Sequence, residues 1–324
     1  MLNIEELRNK ITLSLNKVTL DGDPKGLYEP VSYTLEQKGK RIRPLMVLLS
    51  TQLFEGDPDE AIPAATAIEI FHNFTLLHDD IIDKAPLRRG YQTVYKKWNT
   101  NIAILSGDTM FAIAYGELAK SKPAMLPQLM KVFTHTAIQV CEGQQYDIDF
   151  EELEYVTLSD YIKMIRLKTA VLLAASLKIG AIVAYASDED AEKIYNFGIN
   201  LGIAFQLQDD LLDSYGDQAV FGKKTGGDIA VNKKTVLYIK AIEKADALTL
   251  LRLNELYTNK QLPVKEKIKQ VLQIFEKLGV KATTEELIAS YFNTALSIFE
   301  SINISEERKK VMLDLANSMM HRDH

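Results

Sequence analysis

The fold class follows from one stretch of the sequence, residues 188–215, which reads DEDAEKIYNFGINLGIAFQLQDDLLDSY. Its apolar side chains have the three- and four-residue spacing of an α-helix. These side chains are Ile194, Phe197, Leu201, Ala204 and Phe205. Ser187 can cap the N-terminus of this helix, and Gly216 can end it. The stretch therefore predicts one long helix with an apolar face.

Most of the remaining sequence has the same helical spacing, and strand-like alternation is rare. No proline occurs between Pro127 and Pro263, so long helices can run there without interruption. The connections are short and polar, as at residues 84–90, and none has the composition of a domain linker. We predict a single all-α domain over residues 1–324, a bundle of ten or more helices. The predicted helices span about 2–19, 28–38, 44–54, 63–83, 99–120, 125–141, 157–185, 188–215, 231–245, 263–278, 283–302 and 305–320.

Composition excludes several classes of function. Lys and Arg number 38 against 44 Asp and Glu, so the net charge of −6 disfavours nucleic acid and anionic membrane surfaces as partners. The single cysteine, Cys141, excludes an intrachain disulfide and favours a cytoplasmic location. The acidic N-terminus does not resemble a signal peptide, and no uninterrupted apolar run reaches the roughly 20 residues of a membrane span.

Two acidic motifs share the spacing D-D-x-x-D, at residues 79–83 and 209–213. In each motif the first and last aspartates lie one helical turn apart on the same face. Both motifs lie near the C-terminal end of an apolar helix, where the helix dipole adds to their mutual repulsion. Oxygen ligands without matching His or Cys favour a hard cation, Mg²⁺ first and Mn²⁺ second. The predicted metal-binding residues are Asp79, Asp80, Asp83, Asp209, Asp210 and Asp213.

A solvated surface is the alternative explanation of such motifs, and it would account for one copy as well as a site does. Two copies flanked by Leu, Ile and Phe favour a site. Neither copy has the glycine-bearing loop of a Ca²⁺ site. Since Mg²⁺ commonly joins carboxylates to phosphate oxygens, the two motifs together predict a site for a diphosphate.

Basic side chains that a diphosphate requires occur at four places in the chain. They lie in residues 39–44 (GKRIRP), at Arg88-Arg89, at Lys168, and among Lys223, Lys224, Lys233 and Lys234. Each basic pair taken alone is more typical of a solvated loop than of a site. Lys168 lies in an apolar helix, where a lysine without a partner would be costly.

The order of these motifs resembles that of the trans-polyprenyl diphosphate synthase family, the all-α head-to-tail prenyltransferases that include farnesyl and geranylgeranyl diphosphate synthases. The resemblance extends from about Gly39 to Thr235 and more weakly to the C-terminus. The matching motifs are residues 39–44 (G-K-x-x-R-P), 69–72 (E-x-x-H), 79–90 (D-D-x-x-D, then R-R-G), Gly107-Asp108, Gly143-Gln144 with Asp147, Lys168-Thr169, Phe205-Gln206 and 209–213. One departure is Asn232-Lys233-Lys234-Thr235, where many members have G-K-x-T.

The resemblance implies condensation of isopentenyl diphosphate with an allylic diphosphate, with Mg²⁺ as the cofactor. It further implies the isoprenoid synthase type I fold, with its helices around a deep apolar cavity, and a homodimer. The catalytic residues it implies are Lys168, Thr169, Gln206, Lys223 and Lys233. The substrate-binding residues it implies are Gly39, Lys40, Arg43, His72, Arg88, Arg89 and Asp228.

Product length in this family commonly depends on the fifth and fourth residues before the first aspartate, here Phe74 and Thr75. Phe71 lies one turn deeper, and an ideal helical wheel puts Phe71 and Thr75 closer to the Asp79 face than Phe74. A small Thr75 leaves room beyond a C15 tail, whereas the two phenylalanines should stop very long tails. We therefore predict C20 geranylgeranyl diphosphate, with C15 as runner-up and C25 as a third option. Residues on the facing helix that could shift this limit are Ser106 and Met110.

Three other functions are weaker. A class I terpene cyclase also has D-D-x-x-D on an all-α fold, but it would have a different second motif and needs no isopentenyl site. A metal-dependent phosphohydrolase built around His78 and Asp79 would need more histidine ligands than the 5 of this chain readily provide. A non-catalytic subunit of a heteromeric synthase usually lacks one aspartate motif, and this chain has both.

Overall fold

The computed structural model describes residues 2–216, 225–259 and 261–320. These residues are mostly helical, and their strands are limited to one short hairpin, which confirms the predicted all-α class. In chain order the helices are α1 (Ile4–Leu15), α2 (Lys25–Glu36), α3 (Ile42–Leu53), α4 (Pro58–Ile82), α5 (Val94–Lys97), α6 (Thr100–Leu118), α7 (Leu126–Glu152), α8 (Leu158–Ile165), α9 (Val171–Val183), α10 (Asp188–Tyr215), α11 (Gly227–Ala230), α12 (Val236–Lys244), α13 (Ala247–Thr258), α14 (Val264–Lys277), α15 (Val280–Glu300) and α16 (Glu306–Met320). A π-helical turn, Arg166–Ala170, joins α8 to α9, and two short strands are β1 (Leu87–Arg88) and β2 (Tyr91–Gln92).

The chain divides into two compact units. The first consists of Met1–Thr134 and Ala175–Glu192, and the second of His135–Ala174 and Lys193–His324. The first aspartate motif belongs to the first unit, and the second motif to the second. That the whole chain forms one domain stays a prediction.

Close packing of α3 against the C-terminal part of α9 belongs to the core of the first unit. The Ser50 hydroxyl donates to the Leu177 carbonyl at 2.6 Å, and the Thr51 hydroxyl donates to the Gly180 carbonyl at 3.1 Å. A Cβ added at Gly180 would lie 2.3 Å from the carbonyl oxygen of Val47. The two backbones therefore approach as closely as they do because position 180 has no side chain.

A β-hairpin follows the first aspartate motif, where the sequence predicts only a polar connection at residues 84–90. Arg88 pairs with Tyr91 across the two strands. The two turn residues between them, Arg89 and Gly90, have positive φ angles of 52° and 83°. Two successive positive φ values define the tight turn that suits the right-handed twist of a hairpin. Only the glycine marks this turn in the sequence.

Helix α10 confirms the prediction made from its sequence. It begins at Asp188, where the Ser187 hydroxyl accepts a hydrogen bond from the Asp190 backbone N–H at 3.1 Å, and it ends at Tyr215. Of its predicted apolar face, Ile194, Phe197, Leu201 and Ala204 are fully buried, and Phe205 is partly exposed. The 3.6-residue period therefore identified the buried face correctly.

Some predicted helix boundaries are wrong. The predicted helix 157–185 is interrupted by the π-turn Arg166–Ala170, and the helix predicted at 125–141 continues to Glu152. The helix predicted at 231–245 begins only at Val236, because Asn232 has a φ of 63° that no right-handed helix accommodates. Helix α13 was not predicted.

The most apolar part of the sequence is α9, VLLAASLKIGAIV. Most of its side chains are buried, and Lys178, the single charged residue within it, pairs with Glu192. Within the described ranges, no helix combines the length and the apolar composition that a bilayer span requires.

Candidate active site

The first aspartate motif occupies the C-terminal end of α4, where its middle residue turns inward. Asp80 is buried, and its Oδ1 accepts a hydrogen bond from the Arg88 Nε at 2.6 Å. Burial raises the pKa of Asp80 to about 6, although the charge of Arg88 opposes this rise. The Asp79 carboxylate also lies 3.5 Å from Arg88, and Asp83 is exposed. The two outer aspartates thus lie on the accessible side of the helix.

The hairpin presents Arg88 and Arg89 beside this motif. The Tyr33 hydroxyl donates to the Gln92 carbonyl at 2.8 Å, which ties the hairpin to α2. A Cβ added at Gly39 would lie 2.9 Å from the guanidinium carbon of Arg89. Gly39, which the resemblance implies in substrate binding, therefore allows the loop before α3 to lie directly on the Arg89 side chain.

The loop before α3 is held by Arg41, which has a left-handed backbone with φ 48°. Its guanidinium pairs with the buried carboxylate of Glu69 and donates to the carbonyls of Leu35 and Gln37 at 2.7 and 3.0 Å. The Asn73 side-chain amide donates to the same Glu69 carboxylate at 2.8 Å. Sequence reasoning counted Arg41 only among the basic residues of the G-K-x-x-R-P motif and did not predict its pairing with Glu69.

Arg43 and His72 meet on the same unit. An Arg43 N–H donates to the His72 Nε2 at 3.1 Å, so this ring nitrogen is the acceptor. Burial, and then the charges of Arg43 and Arg89, hold the pKa of His72 well below its usual value. The imidazole is therefore neutral, and its surroundings carry a concentration of positive charge suited to an anion. Lys40 is exposed in the adjoining loop.

The second aspartate motif repeats the arrangement of the first. Its middle residue, Asp210, is buried and accepts hydrogen bonds from the Gln206 amide at 3.1 Å and from the Tyr161 hydroxyl. The Thr169 hydroxyl in turn donates to the Gln206 side-chain oxygen at 3.0 Å. Burial, and next the charge of Asp228, raise the pKa of Asp210 to about 8. Sequence reasoning missed Tyr161, because nothing in its spacing links it to the motif.

The outer residues of the second motif, Asp209 and Asp213, are partly exposed. One Asp213 oxygen accepts a hydrogen bond from the Asp228 backbone N–H at 3.0 Å. This contact brings the start of α11, with the predicted site residue Asp228, to the end of α10. Lys223, predicted to be catalytic, lies outside the described residues.

Two lysines of the second unit face one carboxylate. The Lys168 ammonium lies 2.6 Å from the Asp147 Oδ2, and the Lys233 ammonium lies 3.6 Å from the same oxygen. Burial by itself would raise the pKa of Asp147, but the charges of Lys233 and Lys168 outweigh it and the net shift is downward. The ionised carboxylate thus holds two cations together on one unit.

The π-turn that carries Lys168 and Thr169 lies between two helices that approach it closely. A Cβ at Gly143 of α7 would lie 2.3 Å from the Lys168 backbone nitrogen. A Cβ at Gly202 of α10 would lie 2.6 Å from the Ala170 Cα. Single π-turns inside α-helices are frequent at functional sites. This one contains two predicted catalytic residues at adjacent positions, Lys168 and Thr169.

The donor sets of the two motifs fit Mg²⁺. Each motif offers two outer carboxylates one turn apart, while its middle carboxylate is engaged by a neighbouring side chain. No three His, Cys, Asp or Glu side chains converge on a common point within the part of the chain that the structure describes. Mg²⁺ typically binds one or two protein carboxylates and completes its shell with water and substrate phosphate.

An aromatic cluster lies along α4 before the first motif. It consists of Phe71, Phe74, Phe111, Tyr115 and Phe133. The ring centroids of Phe71 and Phe74 lie 5.6 Å apart, and those of Phe74 and Phe111 lie 5.2 Å apart. The facing ring therefore belongs to Phe111. Of the two residues named above that could shift the length limit, Ser106 donates its hydroxyl to the Leu27 carbonyl at 3.0 Å, and Met110 is fully buried.

Helices that end in paired aspartates, each with fixed cations on the same unit, define the class of all-α prenyl diphosphate synthases. The chain belongs to this class, because the model of the polyprenyl synthetase family matches residues 24–275.

Individual proteins of the class are similar to this chain over nearly its whole length. A geranylgeranyl diphosphate synthase of Methanosarcina mazei is 33% identical, with 100% of this chain and 99% of the other covered. A geranylfarnesyl diphosphate synthase of Aeropyrum pernix is 35% identical, with 87% and 90% covered. A crystal structure of a geranylgeranyl pyrophosphate synthase superposes with a TM-score of 0.95 at 44% identity, and it covers 100% of both chains.

We expect Arg41→Met to destabilise the protein, because it leaves the Glu69 carboxylate buried without its cation. Urea denaturation should show the unfolding free energy falling by about 3–5 kcal/mol. The matched control is Arg252→Met, which removes an exposed pair with Glu255 and should cost less than about 1 kcal/mol. Equal losses in the two variants would contradict a buried anchoring role for Arg41.

Proposed function

We propose that this protein is a geranylgeranyl diphosphate synthase. It condenses isopentenyl diphosphate with an allylic diphosphate (dimethylallyl, geranyl or farnesyl) to a C20 product, with C15 as runner-up and C25 third. The observation that carries this proposal is the repeated arrangement of the two aspartate motifs, each with its own basic side chains. The similarity to geranylgeranyl and geranylfarnesyl diphosphate synthases supports the reaction and the range of product lengths.

The allylic substrate reacts by breaking its C–O bond, which leaves a carbocation and releases diphosphate. Bound Mg²⁺, about three ions with Mn²⁺ as a substitute, supplies the charge that stabilises the departing diphosphate. The residues proposed to hold it are Asp79, Asp83 and Asp209, with Asp80, Asp210 and Asp213 orienting the motifs. Fixed positive charge on the diphosphate comes from Arg88, Lys168 and Lys233. Charge organised before the reaction costs no rearrangement during it.

Isopentenyl diphosphate keeps its C–O bond during the reaction, so its site needs basic side chains rather than bound metal ions. The proposed residues are Gly39, Lys40, Arg43, His72 and Arg89. Neutral His72 orients Arg43 by accepting one of its N–H groups, and the Arg41–Glu69 pair holds the loop that carries Lys40 and Arg43. The double bond of isopentenyl diphosphate attacks the allylic carbon, a C–C bond forms, and a diphosphate oxygen removes the proton that is lost. Thr169 and Gln206 present oxygen atoms to the carbocation.

We also propose a homodimer that acts in the cytoplasm. Helix α6 supports the dimer, because Ile104 and Leu105 are 41% and 58% exposed on a helix whose charged residues are only Asp108 and Glu117. An apolar exposed helix face of this kind suits a second copy of the chain. The single cysteine supports the proposed compartment.

The direct test of the proposed function is incubation of the purified chain with isopentenyl diphosphate, labelled farnesyl diphosphate and Mg²⁺. We expect labelled geranylgeranyl diphosphate. Asp79→Ala or Asp209→Ala should lower kcat by orders of magnitude, whereas Asp314→Ala, at an exposed position of α16, should leave it unchanged. Full turnover in excess EDTA would show that metal binding by the aspartates is not required.

The basic residues are expected to divide between the two substrates. Lys40→Ala should mainly raise KM for isopentenyl diphosphate, and Arg88→Ala should mainly impair the allylic substrate. Each lost charge-assisted contact should cost about 1.5–3 kcal/mol. This corresponds to a roughly ten- to hundredfold change in the kinetic constant for the affected substrate. Steady-state kinetics with each substrate varied in turn provide the measurement. The same kinetic pattern in both variants would argue against two separate diphosphate sites.

Product length should respond to the aromatic cluster. Phe74→Ala should lengthen the products, and Phe71→Ala should lengthen them further, since Phe71 lies one turn deeper from Asp79 and is fully buried. Chain-length analysis is best done well below the unfolding temperature, because loss of a buried phenylalanine costs about 3–5 kcal/mol. Phe299→Ala is the control, since this buried ring packs on Phe197 in the second unit. Unchanged products from the Phe71/Phe74 double variant would place the limit elsewhere.

A further inference from the structure

Lys267 of α14 is a buried lysine that the proposed reaction does not use. It is only 5% exposed, and no carboxylate oxygen of the described residues lies within 4 Å of its ammonium. The ammonium instead donates to the side-chain oxygen of Asn232, lies 3.5 Å from the Ala230 carbonyl, and lies 5.1 Å from the centroid of the Tyr257 ring. Burial lowers the pKa of Lys267. A buried cation without a carboxylate partner is costly, so its contacts need an explanation.

The contacts of Lys267 converge on one turn of the backbone. Asn232 has a φ of 63°, in the left-handed region that glycine adopts freely and asparagine tolerates. It stands where many members of the family have glycine in G-K-x-T. Unlike glycine, asparagine has a side-chain oxygen, and that oxygen is the group that Lys267 binds. The Ala230 carbonyl, two residues earlier, closes the contact from the end of α11.

This turn determines where Lys233 lies. The Lys233 backbone N–H donates to the Asp228 carbonyl at 2.9 Å, which closes the turn, and its ammonium lies 3.6 Å from Asp147. The next residue, Lys234, donates to the carbonyls of Phe150 and Glu151 at 2.7 and 3.1 Å. Lys234 thus ties the backbone that follows Lys233 to the end of α7. Lys267 binds the backbone turn that precedes Lys233.

We propose that Lys267 is a positioning residue for Lys233, and that it acts by holding the left-handed turn at Asn232. A glycine at position 232 would permit the left-handed turn but would have no side chain to hold it. Asn232 permits the turn, and its contact with Lys267 also holds it. Lys267 itself touches no substrate. The inference rests on the proposed function in so far as Lys233 binds the diphosphate of the allylic substrate.

The test compares Lys267→Met with Lys269→Met, which removes an exposed lysine from the same helix. Two readouts are needed: kcat for the condensation, and the affinity for inorganic diphosphate with Mg²⁺ by calorimetry. We expect Lys267→Met to lower kcat and weaken diphosphate binding by about tenfold or more, with KM for isopentenyl diphosphate unchanged. Lys269→Met should match the wild type in both. Asn232→Gly still permits the turn but lacks the side-chain oxygen that Lys267 binds. It should therefore lower kcat and diphosphate affinity as Lys267→Met does. This variant replaces Lys267→Met in the test if Lys267→Met does not fold.

A double-variant cycle separates positioning from a general loss of structure. If Lys267 acts through Lys233, adding Lys267→Met to Lys233→Ala should cause no further loss of kcat or diphosphate affinity. Additive losses, or a Lys267→Met enzyme with wild-type values, would overturn the inference. If the wild type makes no prenyl diphosphate but its diphosphate affinity follows the cycle, the proposed function is wrong and the positioning role stands. If the wild type makes prenyl diphosphate and Lys267→Met has wild-type values, the proposed function stands and the positioning role is wrong.

Discussion

Repulsion between neighbouring carboxylates is the constraint on which the rest of the candidate site depends. Each aspartate motif crowds three acids at the end of an apolar helix, where the helix dipole is already unfavourable to them. The protein relieves each motif in the same way. Its middle aspartate is buried and bound by neighbouring side chains, Arg88 for Asp80 and Tyr161 with Gln206 for Asp210. Both helices therefore retain two outer carboxylates on their accessible side, as binding of a cation requires.

Unusual backbone geometry places the cations that accompany these carboxylates. Arg41, Arg89 and Asn232 all have positive φ angles, and the Lys168–Thr169 pair lies in a π-turn. Such conformations persist only where the surrounding contacts determine them. Here the contacts are an ion pair with Glu69, a two-residue hairpin turn, and the buried ammonium of Lys267. Unusual backbone geometry therefore lies at or beside the basic residues that the sequence singles out in both units.

Most helices could be predicted from the sequence, because burial of one face repeats every 3.6 residues and this period is readable in any long segment. The failures occurred where local geometry departs from that period. The π-turn at Arg166–Ala170 adds a residue to one turn, Asn232 delays the start of α12, and the hairpin at Leu87–Gln92 is too short to show alternation. Helix α13 was missed although Leu253 and Leu256 are buried with helical spacing, so that omission was an error of interpretation.

The sequence by itself determined the family, the two aspartate motifs and the types of basic residue beside them, because these are chemical identities in a readable order. Only the tertiary structure decided which aspartate of each motif turns inward. It also decided that Arg41 pairs with Glu69, Tyr161 with Asp210 and Lys267 with Asn232, and that Phe111 faces Phe71 and Phe74. Each of these residues is far in the sequence from the residue that it contacts. Spacing along one helix carries no information about contacts that form only when separate elements pack together.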